Sequence, residues 1–110
     1  MNFEHSPKAK EMMSRVWQFM NEHILPLENE YLKVPHHGNP DWKTWELDPR
    51  VEALKEKAKA EGLWNLFLPP ISGLSNLEYA PLAEITGHSL LAPEIFNCNA
   101  PDTGNMEVLW

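Results

Sequence analysis

At 110 residues the chain has room for one domain around one core and not for two. Hydrophobic residues make up 43% and charged residues 23%, a balance that belongs to folded globular proteins rather than disordered ones. Nine Lys and Arg against sixteen Asp and Glu give a formal charge of −7. That sign argues against nucleic-acid binding, which rests on basic groups displacing phosphate counterions, and against docking on anionic lipid.

One cysteine, Cys98, excludes an intramolecular disulfide and every multi-cysteine zinc pattern. No apolar run approaches the roughly 18 residues that raise the question of a membrane span. The opening Met1-Asn2-Phe3-Glu4-His5 has neither a secretory nor a transit-peptide profile. A reducing, cytoplasmic setting is the simplest reading, with the mitochondrial matrix or peroxisome as the alternative.

The first element opens at Ser6-Pro7, where Ser6 suits the cap of a helix and Pro7 its first position. Ala9, Met12, Met13, Val16, Phe19, Met20 and Ile24 then recur at steps of three and four, along one helical face. Pro26 removes a hydrogen bond, so this helix is expected to stop at Leu25 or kink there. From Glu28 to Leu47 the prolines, Gly38, His36-His37, Trp42 and Trp45 show no periodicity. They predict an ordered loop whose aromatic rings cover the edge of the core.

Asp48-Pro49 repeats the cap-and-proline start, Val51, Leu54 and Ala58 line the helix, and Gly62 with Leu63 closes it. Leu63 to Leu68 reads as an extended, buried connector, ended by Pro69-Pro70. Ser75-Asn76-Leu77-Glu78 is a capping box with Leu74 and Tyr79 as its hydrophobic staple. The helix it begins runs to about Thr86, bent early by Pro81 and stopped by Gly87. Pro93 starts a short helix through Asn97, and Pro101 another that holds Met106, Val108 and Leu109. Trp110 arrives while that pattern is still running, so the sequence is expected to break off inside its last helix. The fold class is all-α: an irregular helical bundle of about four to six helices in a single domain, residues 1–110.

No catalytic constellation emerges. Gly87-His88-Ser89 lacks the second glycine and the preceding strand of a nucleophile elbow. The five histidines form no i, i+4 pair, so they read as surface residues rather than metal ligands. Cys98 has no cationic or histidine neighbour in sequence and reads as an inert thiol. Glu52, Glu56 and Glu61 alternate with Lys55, Lys57 and Lys59 on a solvated face. What stands out is the run from Phe96 to Met106, a mixture of small, polar and apolar residues at a turn between helices. Two readings of it stand, helix capping by its Asn and Asp residues, or the lining of a ligand pocket.

That run, taken with Gly62 to Pro69 and Tyr79-Ala80-Pro81-Leu82-Ala83-Glu84, resembles the N-terminal helical domain of the acyl-CoA dehydrogenases. The Ala-Pro-Asp-Thr-Gly-Asn-Met-Glu run at Ala100–Glu107 is its most specific part, and the ending His23-Ile24-Leu25-Pro26 fits too. The resemblance implies a role in α,β-dehydrogenation of acyl-CoA thioesters, in which a carboxylate base takes the Cα proton and flavin accepts the Cβ hydride. It implies that FAD and the base lie in a central β domain and a C-terminal helical bundle, and that the parent enzyme is a homo-oligomer. By the same resemblance Phe96, Asn99, Ala100 and Thr103 match positions that face the acyl chain. No position matches the base, and this chain alone is not expected to hold FAD. The alternative of a different class is a free-standing helical interaction module without flavin.

Overall fold

The computed structural model describes residues 3–33 and 41–110. The expected loop between Glu28 and Leu47 therefore falls partly outside the described residues, including Pro35, His36, His37, Gly38 and Pro40. The described residues form helices and turns, with no strand among them.

Helix α1 spans Pro7–Phe19, and the Ser6 hydroxyl accepts from the Ala9 N–H as its cap. Its apolar stripe behaves as the spacing predicts, with Ala9, Val16 and Phe19 buried and Met12 and Met13 packed against the core. The helical path does not stop at Leu25. A π-helical turn, Met20–Ile24, follows α1, and the Leu25 N–H reaches back five residues to the Met20 carbonyl. Helix α2, Leu25–Tyr31, then continues with Pro26 in its first turn. In an unbroken α-helix the Pro26 ring would press on the Glu22 carbonyl and leave it without a donor. A wider turn immediately before the proline removes that conflict without ending the helix. It also brings Met20, Ile24 and Leu27 into the core.

A 3₁₀ turn, Trp42–Thr44, leads to α3, Pro49–Ala60, capped where the Asp48 carboxylate accepts from the Arg50 N–H. Trp45 is 49% exposed, so its ring does not seal the core. Helix α3 closes as expected. Gly62 sits at φ +73°, its N–H bonds Lys59, and Leu63 reaches back to Ala58.

The connector from Leu63 to Leu68 is buried at Leu63, Leu66, Phe67 and Leu68 but is not extended. Asn65 takes φ +62° and its carbonyl accepts from Leu68, which folds the segment into a turn. A bent path lets four large side chains of a six-residue stretch point inward, which the alternation of a strand forbids. The short helix α4, Pro69–Ser72, then runs into Gly73 at φ +72°. Helix α5, Asn76–Thr86, has both bonds of the Ser75–Glu78 capping box and continues through Pro81. Gly87 follows it in right-handed geometry, so its stop owes nothing to glycine's conformational freedom.

Helices α6, Ala92–Ile95, and α7, Asp102–Leu109, complete the bundle. Helix α1 packs on α5, and α3 packs on α6. Ala58 on α3 and Ala92 on α6 are fully buried, and Lys55 bridges Glu52 and Glu94 at 2.8 and 2.9 Å across that second pair. The fold is all-α, as the patterning requires.

Candidate functional site

The turn between α6 and α7 has a fixed root and an exposed tip. At the root, Phe96 is 2% exposed and its ring lies 5.3 Å from that of Phe19, tilted by 57°. Asn97 follows at φ +57°, where its N–H bonds the Glu94 carbonyl and the Cys98 N–H bonds Pro93 at 2.7 Å. This is the pattern that closes a helix through a left-handed residue, with asparagine in the place glycine most often takes.

Two bonds tie this root to the bent connector. The Asn65 N–H donates to the Phe96 carbonyl at 3.2 Å, and the Asn97 amide donates to Asn65 Oδ1 at 2.7 Å. On its other side Cys98 meets the Tyr79 hydroxyl of α5. Burial pushes the Cys98 thiol up, and the hydroxyl beside it offsets this only in part. Burial likewise pushes the Tyr79 hydroxyl well above the usual phenol range. Cys98 is therefore a neutral, packed thiol, in keeping with its sequence context.

The tip carries the remaining candidate residues. Asn99 and Ala100 are exposed and Thr103 is half-buried. The Thr103 N–H bonds the Asn99 carbonyl at 3.1 Å, across the cis Ala100–Pro101 peptide. The fold thus groups Asn99, Ala100 and Thr103 at one exposed corner, while Phe96 anchors that corner from inside the core. Beside them Asn65, Leu68, Ile71, Met106, Leu109 and Trp110 line a mostly apolar groove of about 280 Å³. Val108, Leu109 and Trp110 are 86%, 84% and 69% exposed.

A separate tie, from α2, fixes the start of α6. The Glu28 carboxylate accepts from the Ser89 hydroxyl at 3.1 Å and from the Leu90 N–H at 2.6 Å. Ser89 in turn accepts from the N–H groups of Leu91 and Ala92, which starts α6. Neither this relay nor the Asn65–Asn97 pair is announced in the sequence. Only the second has a trace there, since Asn97 falls at an expected helix end, where left-handed asparagine is common. His23 and His88 rest against the rings of Phe19 and Trp17, and no cluster of metal-binding side chains occurs among the described residues. No described helix is long and apolar enough to cross a membrane.

No family model matches the sequence. Individual relatives do. The chain is 55% identical over 108 residues to acyl-CoA dehydrogenase family member 11 of Gallus gallus, covering 97% of this chain and 14% of that protein. It is 52% identical over 110 residues to a Mycobacterium tuberculosis protein named as an acyl-CoA dehydrogenase, FadE2, covering 99% of this chain and 26% of the relative. A solved structure from Mycobacterium abscessus, described as an acyl-CoA dehydrogenase, superposes with a TM-score of 0.86 at 47% identity, over 97% of this chain and 28% of the other. The chain thus spans between about one-seventh and just over one-quarter of these three relatives. Sequence and fold agree on the same relatives along nearly all of its length, and the chain is similar to a helical segment of proteins named acyl-CoA dehydrogenases.

Proposed function

We propose that residues 1–110 are the N-terminal helical domain of an FAD-dependent acyl-CoA dehydrogenase. In this role the corner formed by Asn99, Ala100 and Thr103, anchored by Phe96, serves as one wall of the acyl pocket. Ala100 leaves room for the acyl chain, and Asn99 and Thr103 give the wall its polar character. The exposed face of α7 is the surface that meets the remaining β and C-terminal helical domains, and the whole enzyme works as a homo-oligomer in the cytoplasm. The observation that carries this reading is the agreement of identity and fold over 97% of the chain.

FAD, when bound by the whole enzyme, supplies the hydride acceptor. The residues described here do not fit that cofactor. Glu52, Glu78 and Asp102 occupy the first turns of α3, α5 and α7, where a pyrophosphate would need bare N–H groups and no competing carboxylate. The N-terminus of α1 is no better, because Ser6 donates to the Glu78 carboxylate there. Flavin binding is accordingly assigned to other parts of the enzyme, and the family resemblance assigns the catalytic base there too.

The test compares the purified 110-residue chain with the full-length polypeptide. The full-length protein is expected to carry flavin absorbance and to reduce an artificial electron acceptor when given acyl-CoA, and the 110-residue chain to do neither. Thioester oxidation by the short chain alone would overturn the proposal. So would a full-length protein that shows no flavin and oxidises no thioester, and a specific protein partner would then favour the interaction module.

A further inference from the structure

We infer that Asn65 and Asn97 form a positioning pair that sets the acyl-wall corner against the body of the domain; this rests on the function proposed above. Both residues hold left-handed backbone conformations, at φ +62° and +57°. After glycine, asparagine is among the residues that tolerate such conformations best, and unlike glycine it brings a side chain that can bond. The structure puts both side chains to use in the 2.7 Å amide–amide bond between them. A second link, from the Asn65 N–H to the Phe96 carbonyl, lies alongside.

The location gives the pair its consequence. Asn97 lies just past the end of α6, whose C-cap is Phe96, and the chain leaves it directly into Cys98, Asn99 and Ala100. Asn65 belongs to the bent connector and also lines the apolar groove beside α7. A small rotation at Asn97 would swing the exposed tip while leaving Phe96 seated on Phe19. Side-chain bonds at the base of a rigid corner are the means by which a wall is held to the few tenths of an ångström that substrate fit demands.

The pair has an electrical signature that separates it from a general packing role. With N65D or N97D alone, one amide remains to donate to the new carboxylate, so the link survives. With N65D/N97D no donor remains and two like charges face each other. In the full-length enzyme the single variants are expected to keep the wild-type KM for the preferred acyl-CoA within about twofold, a change below the value of one hydrogen bond. The double variant is expected to raise KM about tenfold with kcat within about twofold, and to broaden the chain-length profile, as loss of substrate positioning without loss of chemistry requires. If the double variant does not fold, N97G takes its place, since glycine keeps the left-handed backbone and removes only the donor. An unchanged KM and profile in the double variant or N97G, with wild-type enzyme active, overturns the positioning role alone. KM rising equally in the single Asp variants overturns it too. A wild-type protein that oxidises no acyl-CoA overturns the function proposed above, and this inference with it.

Discussion

Glu78 shows how much one side chain does at the N-terminus of a helix. Its Oε1 accepts from the Ser75 N–H at 3.1 Å, and its Oε2 accepts from the Ser6 hydroxyl at 2.8 Å. The Ser75 N–H is the largest cause of a carboxyl held below its ordinary value of 4.5, followed by the Ser6 hydroxyl. A carboxylate depressed in the folded state stabilises the fold above its unfolded pKa, and that contribution is lost as pH falls through the folded value. Urea midpoints are therefore expected to fall as pH drops below 4.5, and E78Q is expected to flatten part of that slope while leaving m unchanged. Cys98 makes the opposite case, a half-buried neutral group whose pKa is pushed up by desolvation. Alkylation by iodoacetamide near neutral pH is expected to be at least about tenfold slower in native protein than in urea-unfolded chain. Equal rates would mean that the thiol is neither packed nor neutral.

At the scale of the element, two glycines that follow helices separate conformation from space. Gly62 is left-handed, and a Cβ there would meet only the end of Arg15 at 3.9 Å, so G62A is expected to cost about 1 kcal/mol from backbone strain alone. Gly87 is right-handed, and G87A is expected to stay within about 0.5 kcal/mol despite the 3.2 Å approach to the Glu84 carbonyl. Chemical denaturation of both variants gives the comparison. Ser89 is a harsher site, since its buried hydroxyl serves two N–H groups and the Glu28 carboxylate together. S89A is expected to cost about 2 kcal/mol, twice what an ordinary exposed cap loses.

These elements also mark where the sequence is readable. Starts written in local code, Ser6-Pro7, Asp48-Pro49 and Ser75-x-x-Glu78, can be placed to the residue because donor and acceptor lie within one turn of each other. The Gly62–Leu63 closure is legible for the same reason. Pro26 marks where the α-helix is interrupted but not how, because its conflict is relieved by a wider turn, an option that one residue type does not announce. The connector misleads because six apolar residues carry no period, so nothing in them distinguishes a bend from an extended run. For the candidate site, the corner at residues 96–103 is visible as an unusual composition. Its supports at Asn65 and Tyr79 are not, being 32 and 19 positions from the residues they hold.

Across the whole molecule the core and the exposed apolar surface are set apart. Val16, Phe19, Met20, Ile24, Leu82, Ile95 and Phe96 fill the interior between α1, α5 and α6. Leu109 and Trp110 instead border the groove beside Leu68 and Ile71, and Val108 is open to solvent. The interdomain surface proposed above for α7 would cover this apolar rim. The net charge of −7 disfavours association between copies left uncovered.

The carboxylate that joins Ser6 to Ser75 has one more effect. Helices α1 and α5 begin 69 positions apart in the chain, from Pro7 to Asn76, yet they share a single anion at their starts. Neither can unravel from that end without breaking the other's fastening, so the two ends act as one cooperative unit. Native-state deuterium uptake at the amides of Ala9 and Glu78 is expected to proceed at matched opening free energies, and E78A to accelerate both together. Acceleration at Glu78 alone would show two ends that open independently.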